Sequence, residues 1–235
     1  MLESSMPTGA AADSGTGAAS TARPSLRERK KQQTRTRIIE VALRLCAARG
    51  FDATTVEQIA DAADVSARTI NRYFDSKEDI VLATVLDFGT EVAEALRGLP
   101  VRGNELESLC EAFLQVVDAA AAGGGPVPFE QFQQLQRIIR DAPSVAARQR
   151  EMSDTKNVML ATVLAERLGA TPDSITVRLV LNTWQVIGQL SMEQSNEAVL
   201  NGDLGVAARA ARDRLTETYN EFVRTCAGAR SVESL

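Results

Sequence analysis

The 235-residue chain contains no histidine. That removes Ser–His–Asp and Cys–His catalysis, histidine-ligated zinc and the usual imidazole proton shuttle in one step. Its three cysteines, Cys46, Cys110 and Cys226, stand far apart in helical context, so no disulfide framework is implied and a reducing cytoplasm fits. Nowhere does an unbroken apolar run reach the roughly 18 residues of a membrane span. Glycine is scarce as a phosphate cradle too: Gly123, Gly124 and Gly125 have neither a following lysine nor a preceding strand. Paired carboxylates remain at Glu105 with Glu107 and at Glu193 with Glu197, and both pairs read as solvated charges on helix faces. The expectation is therefore a chain with no catalytic residues, no metal, no cofactor and no membrane partner.

Strand-like alternation is also missing, so the fold is expected to be all-α. Residues Met1 to Ala22 are mostly Gly, Ala, Ser and Thr without apolar period, and read as a disordered tail rather than a secretory signal. A second short tail is expected over 229–235. The total charge is acidic, 26 basic against 31 acidic residues, but it is unevenly spread. Residues 23–77 hold 12 Lys and Arg against 7 Asp and Glu, leaving 14 against 24 elsewhere. A basic head on an acidic body turns the head toward phosphate and keeps the body away from it. Arg27, Arg29, Lys30, Lys31, Arg35 and Arg37 cluster just ahead of the first periodic segment or in its first turns, where phosphate contact is a better use than a solvated face.

That head carries a pattern of short helices. Ile38, Val41, Ala42 and Leu45 recur at helical spacing, and Gly50 closes the segment. Thr54 or Thr55 caps the next helix, since Glu57 and Gln58 stand three residues on from them, the spacing of a capping box. Val56, Ile59, Ala60 and Ala63 form its buried side. Asp64 and Val65 make a turn, and Ser66 caps a third helix expected to run to Phe74. Phe51, Ile70 and Phe74 can close a common core. Ser76 opens a fourth helix with Glu78 and Asp79 in its first turn, where the helix dipole favours negative charge.

Two helices joined by a tight turn are the frame of a helix-turn-helix, whose second helix lies in the major groove with its first residues at base edges. Here those are Ser66, Ala67, Arg68, Thr69 and Asn71; arginine can hold guanine by two bonds and asparagine adenine. Arg72, Tyr73 and Lys77 suit phosphate oxygens, as do Thr54 and Thr55 at a helix N-terminus. The stretch from Arg35 to Ile80 closely resembles the N-terminal domain of the tetracycline-repressor (TetR) family of bacterial transcription regulators. The resemblance implies that Ala67, Arg68 and Thr69 face bases and that Tyr73 and Lys77 hold the backbone. Two positions depart from the family's habit. Asp64 stands where glycine is usual, and aspartate tolerates the left-handed conformation. Asn71 stands where an aromatic residue is common, so a phosphate contact is lost or a base contact takes its place.

The division expected is a DNA-binding head over 23–77 and an effector-binding and dimerisation body over 78–228. In the body, apolar faces over 80–96, 106–117 and 129–139 predict helices, with a break at Gly123 to Pro126. A further helix is expected from about Ser144 to Leu168, ended by Gly169. Another is expected to be capped by Thr171 and opened by Pro172, with Ile175, Leu179, Val180, Trp184, Val186, Ile187 and Leu190 covering more than one stripe. The last places Leu204, Ala208, Ala211, Leu215, Phe222 and Cys226 on one side. The resemblance implies that these last two helices pair with a second subunit, and that the body encloses a small-molecule pocket. Residues suited to line it are Phe113, Phe129, Phe132, Met152, Met159, Trp184 and Gln185. The function so implied is a dimeric repressor of a palindromic double-stranded DNA operator, released by a small effector. The alternative is release by cysteine oxidation or by a protein partner.

Overall fold

Eleven helices account for the regular structure of the computed structural model, which describes residues 25–125, 127–153, 158–193 and 197–226. The two expected tails lie outside the described residues. There is no strand among the described residues, and no helix is long and apolar enough to cross a membrane.

Helix α1 (Leu26–Arg49) starts earlier than the apolar period suggested, because Ser25 and Glu28 form a capping box: the Ser25 hydroxyl accepts from Glu28 N–H at 3.2 Å, and the Glu28 carboxylate accepts from Ser25 N–H at 2.8 Å. The basic cluster is therefore helical throughout. Gly50 ends α1 at φ 88°, and its N–H bonds the Cys46 carbonyl at 2.9 Å. Helices α2 (Val56–Ala63) and α3 (Ala67–Asn71) follow, and α3 is shorter than expected; a turn through Arg72 and Tyr73 carries the chain on to Phe74. Then comes α4 (Lys77–Gly98), with Ser76 capping Asp79 N–H at 3.1 Å.

The body holds α5 (Glu105–Ala121), α6 (Phe129–Asp141), α7 (Pro143–Ser153), α8 (Val158–Leu168), α9 (Ile175–Glu193), α10 (Glu197–Asn201) and α11 (Leu204–Cys226). Three expectations need correction. The single helix read from Ser144 to Leu168 is described as two, α7 and α8, with 154–157 outside the described residues. Thr171 and Pro172 form a turn rather than a cap; Ser174 accepts from Val177 N–H at 3.3 Å and α9 starts at Ile175. Helix α10 was not foreseen; its end is held from α6 by Gln133, which donates to the carbonyls of Val199 at 3.1 Å and Gly202 at 2.9 Å.

Two apolar cores meet along α4. The first joins α1, α2 and α3 with Ile80, Val81, Leu82 and Ala83 of α4, and is completed by Leu135, Ile138 and Ala142 at the end of α6 and by Val145 and Met152 of α7. The core of α1–α3, with Phe51, Ile70 and Phe74 in it as expected, is thus continuous with α6 and α7. The second gathers Phe88, Val92, Ala93 and Leu96 of α4 with apolar residues of α5, α6, α8, α9, α10 and α11. Each fully buried Leu or Ile in either core contributes roughly 1.5 to 3 kcal/mol of burial. At the far end of α4, Arg167 of α8 ties the α4–α5 connection. Its guanidinium bonds the carbonyls of Leu96 at 2.9 Å and Leu99 at 2.6 Å and the Glu105 carboxylate at 2.5 Å, with side chains only 6% and 2% exposed. Glu105 is therefore a buried structural anion, and the expectation of a solvated Glu105 fails. Glu107 is exposed, as is Glu197, while the Glu193 side chain lies outside the described residues.

Candidate nucleic-acid interface

The turn between α2 and α3 is fixed by backbone chemistry. Asp64 sits in the left-handed region at φ 57°, ψ 47°, so aspartate serves where glycine was the usual expectation. Val65 N–H then reaches back to Ala60 O at 3.0 Å, closing α2. Arg37 of α1 donates to Ala63 O at 2.8 Å, which anchors the end of α2 to the first helix. Ser66 caps α3, accepting from Thr69 N–H at 3.1 Å, and its hydroxyl lies 2.9 Å from that of Thr69. Ile70, 1% exposed, buries the inner face of α3 in the first core.

The outer face is what remains. Ser66, Arg68, Asn71 and Arg72 are exposed, and Ala67 and Thr69 are half-buried beside them. Arg72 lays its guanidinium over the Tyr73 ring at 5.3 Å, and Tyr73 itself packs half-buried on the core. Thr55 is exposed and forms the capping box of α2 with Gln58, at 3.2 and 3.1 Å, so of the two threonines offered as caps the second is the one used. Thr54 does not join the interface. It is 0% exposed and its hydroxyl donates to Gly50 O at 2.8 Å.

Lys77 also has internal partners. Its ammonium donates to Phe51 O and Thr54 O, both at 2.7 Å, and lies 4.1 Å from the centre of the Phe51 ring. This stitches the α1–α2 loop to the start of α4, a task that spacing alone did not reveal. Of the basic cluster on α1, Arg35 pairs with Asp87 of α4 at 2.6 Å and Arg37 is occupied as described. Arg27, Arg29, Lys30 and Lys31 stay exposed in the first turns.

In the body, the structure brings together only part of the set suited to a small-molecule pocket. Phe113 meets Trp184 at 5.9 Å between ring centres, and Phe129 meets Phe132 at 5.5 Å. Phe88 joins them, 5.3 Å from Phe113 and 5.4 Å from Phe132. Sequence reading passed over Phe88, although it falls on the apolar period of α4. Gln185 is half-buried next to Trp184 in sequence. Met152 and Met159 are corrections. Met152 is buried in the first core with α7, and Met159 is exposed, its sulfur 3.9 Å from the Arg97 guanidinium. Two clefts of about 190 and 210 Å3 flank α1, one lined by Thr36, Asp87 and Glu91, the other by Cys46, Arg137 and Asp141. Glu91 has its carboxyl pKa raised by burial and by the charges of Glu94 and Asp87. Burial raises the Cys46 thiol, against a Thr54 hydrogen bond and the Lys77 charge; burial and Glu107 push Cys110 up to about 11.

Residues 38–84 match the family model described as bacterial regulatory proteins, tetR family. The chain is 31% identical to the HTH-type transcriptional regulator TcmR of Streptomyces glaucescens over 199 residues, 82% of this chain and 87% of that protein. It is 38% identical over 95 residues to the HTH-type transcriptional repressor KstR2 of Rhodococcus jostii (strain RHA1), 38% of this chain and 46% of that one. Among solved structures, Thermus thermophilus FadR, a repressor of the TetR family, superposes with a TM-score of 0.46 at 20% identity, covering 84% of this chain and 97% of its own.

Proposed function

Since the chain belongs to the TetR family of DNA-binding transcription regulators, which are not enzymes, we propose that it acts as a cytoplasmic dimeric repressor. Each subunit places α3 in a major groove of a near-palindromic operator, and a small effector bound in the body releases it. The observation that carries this reading is the outer face of α3: Arg68, Asn71 and Arg72 stand exposed on a helix whose cap and inner face are both fixed. Ser66, Ala67, Arg68, Thr69 and Asn71 face base edges; Thr55, Arg72 and Tyr73 hold phosphate oxygens. The division into a reading head through Lys77 and an effector-binding, dimerising body after it belongs to the same proposal.

Dimerisation is supported by α9. Ile175, Leu179, Val186 and Leu190 recur at helical spacing and are exposed, while Val177 and Ile187 on the other side are buried. Monomers seldom leave such a stripe open. One recognition helix also reads too few bases for useful specificity, and two-fold pairing places two heads about 34 to 36 Å apart, one turn of DNA. Sedimentation of the full chain and gel-shift with genomic fragments test the reading. A dimer at micromolar concentration that shifts particular fragments is expected; a monomer, or equal shifts of all fragments, would count against it.

A further inference from the structure

The cleft of about 190 Å3 beside α1 lies where head and body meet, since α1 forms one wall and α4 and α6 form the others. Its charges do not balance. Asp87 is matched by Arg35 of α1 at 2.6 Å. Glu91, one turn further along α4, is half-buried in the same cleft, and no cation pairs with it among the described residues. The charges that act on it, Glu94 and Asp87, carry its own sign, and with burial they raise its carboxyl pKa. Withdrawing a carboxylate from water without a counter-ion costs free energy, so the arrangement calls for a reason.

The other polar groups of the cleft supply one. The Thr90 hydroxyl donates to Leu86 O at 2.9 Å and is satisfied within its own helix. Thr34 on α1 does the same, donating to Lys30 O at 2.9 Å. Thr36 does not: its hydroxyl, like the side-chain amides of Gln32 and Gln131, has no hydrogen bond among the described residues, and all three line the cleft. Ile39 and Val127, 3% and 7% exposed, supply the apolar part of the lining. A carboxylate without a cation, oxygen acceptors from α1 and α6 and a small apolar surface together complement an alkylammonium ion, which has three N–H donors, no acceptor and a carbon tail.

We infer that this cleft binds a small primary alkylammonium ion, with Glu91 as its counter-ion and with Thr36, Gln32 and Gln131 as acceptors for the remaining N–H groups. The site is separate from the ring cluster of the body and does not rest on the body's enclosing an effector. Because α1 belongs to the head and α6 to the body, an occupied cleft braces one against the other.

The test is calorimetric titration of the full chain with hexylammonium chloride and with 1-hexanol, which share a tail and differ in the head group. Wild type is expected to bind hexylammonium roughly tenfold more tightly, as a charge-assisted hydrogen bond to a carboxylate implies. Glu91→Gln keeps the size and removes the charge, so it should lose the preference, and Thr36→Val should bind hexylammonium several-fold more weakly. Glu94→Gln, which removes a carboxylate of the same helix that does not line the cleft, should keep the preference. Thermal melting without probe gives a second readout: Glu91→Gln removes an unpaired charge and should melt no lower than wild type. No saturable heat from hexylammonium, or equal binding of both probes by wild type, overturns the inference. So does equal loss in Glu91→Gln and Glu94→Gln, which would mark a general attraction of the acidic body for cations. Unchanged affinity in Thr36→Val, or a lowered melting temperature in Glu91→Gln, would overturn it as well, the latter by giving the carboxylate a structural partner.

Discussion

Arg68 and Lys77 are nine residues apart and both cationic, yet their surroundings assign them opposite work. Arg68 is exposed and no hydrogen bond or ion pair holds its guanidinium among the described residues, which suits the base contact proposed for it. Lys77 spends two of its three donors on loop carbonyls. Arg68→Ala is therefore expected to leave the melting temperature unchanged, cost about 1 to 3 kcal/mol on a preferred operator and relax discrimination at one base pair. Lys77→Ala should lower stability by roughly 1 to 3 kcal/mol, because Thr54 O loses its side-chain donor and Phe51 O keeps only Thr54 N–H, and weaken all DNA alike. Denaturant titration beside operator binding separates the two; equal stability of both variants would contradict the assignment. The cysteines give a second residue-scale expectation. With Cys46 and Cys110 buried and their thiol pKa values raised, the native chain should react with iodoacetamide at pH 7 at the exposed Cys226 alone. Rapid labelling of Cys46 or Cys110 would revive release by oxidation.

At the scale of elements, α4 is the member that everything else positions. Its first turn is fixed to α7 by Arg148, whose guanidinium bonds both oxygens of Asp79 at 3.1 and 3.3 Å, and its last turn to α8 by Arg167. In the proposed repressor, a rod held at both ends links body to head by rigid displacement, and an effector shifts DNA affinity only by its differential affinity for the two placements. Arg167→Met should cost about 3 to 5 kcal/mol, since Glu105 is left buried without its cation, and adding Glu105→Gln should recover a large part of it. Chemical denaturation of the single and double variants checks this; additive losses would mean that the pair is not coupled.

Much of this element map could be read from pattern. The capping boxes, the turn at Asp64 and the apolar periods are local, and local chemistry decides them. Spacing did not settle the choice between Thr54 and Thr55: both have it, and Thr54 is buried with its hydroxyl on Gly50 O, which leaves Thr55 to accept from Gln58 N–H. Met152 and Met159 looked like neighbours on one helix, whereas the chain divides them between α7 in the first core and the exposed start of α8. The role of Lys77 was hidden for the same reason, since its carbonyl partners lie 26 and 23 residues away. Phe88 falls on the period of α4 yet was passed over, and it gained meaning only when Phe113 and Phe132 arrived from other helices.

At the scale of the molecule, charge and surface divide the labour. Exposed basic side chains gather on the first turns of α1 and on α3, and the open apolar stripe runs along α9 in the body. In the proposed dimer the two surfaces make one demand of each other, because a pair of bodies must present a pair of heads. The central claim is that α3 reads sequence as part of a two-fold pair. The most direct measurement is to let the full chain select duplexes from a random pool and to sequence what it retains, repeating the selection with Arg68→Ala. The account predicts an inverted repeat with half-site centres about one helical turn apart, and loss of preference at one symmetric position in each half-site for the variant. Retained duplexes without an inverted repeat, or an unchanged motif in Arg68→Ala, would contradict it.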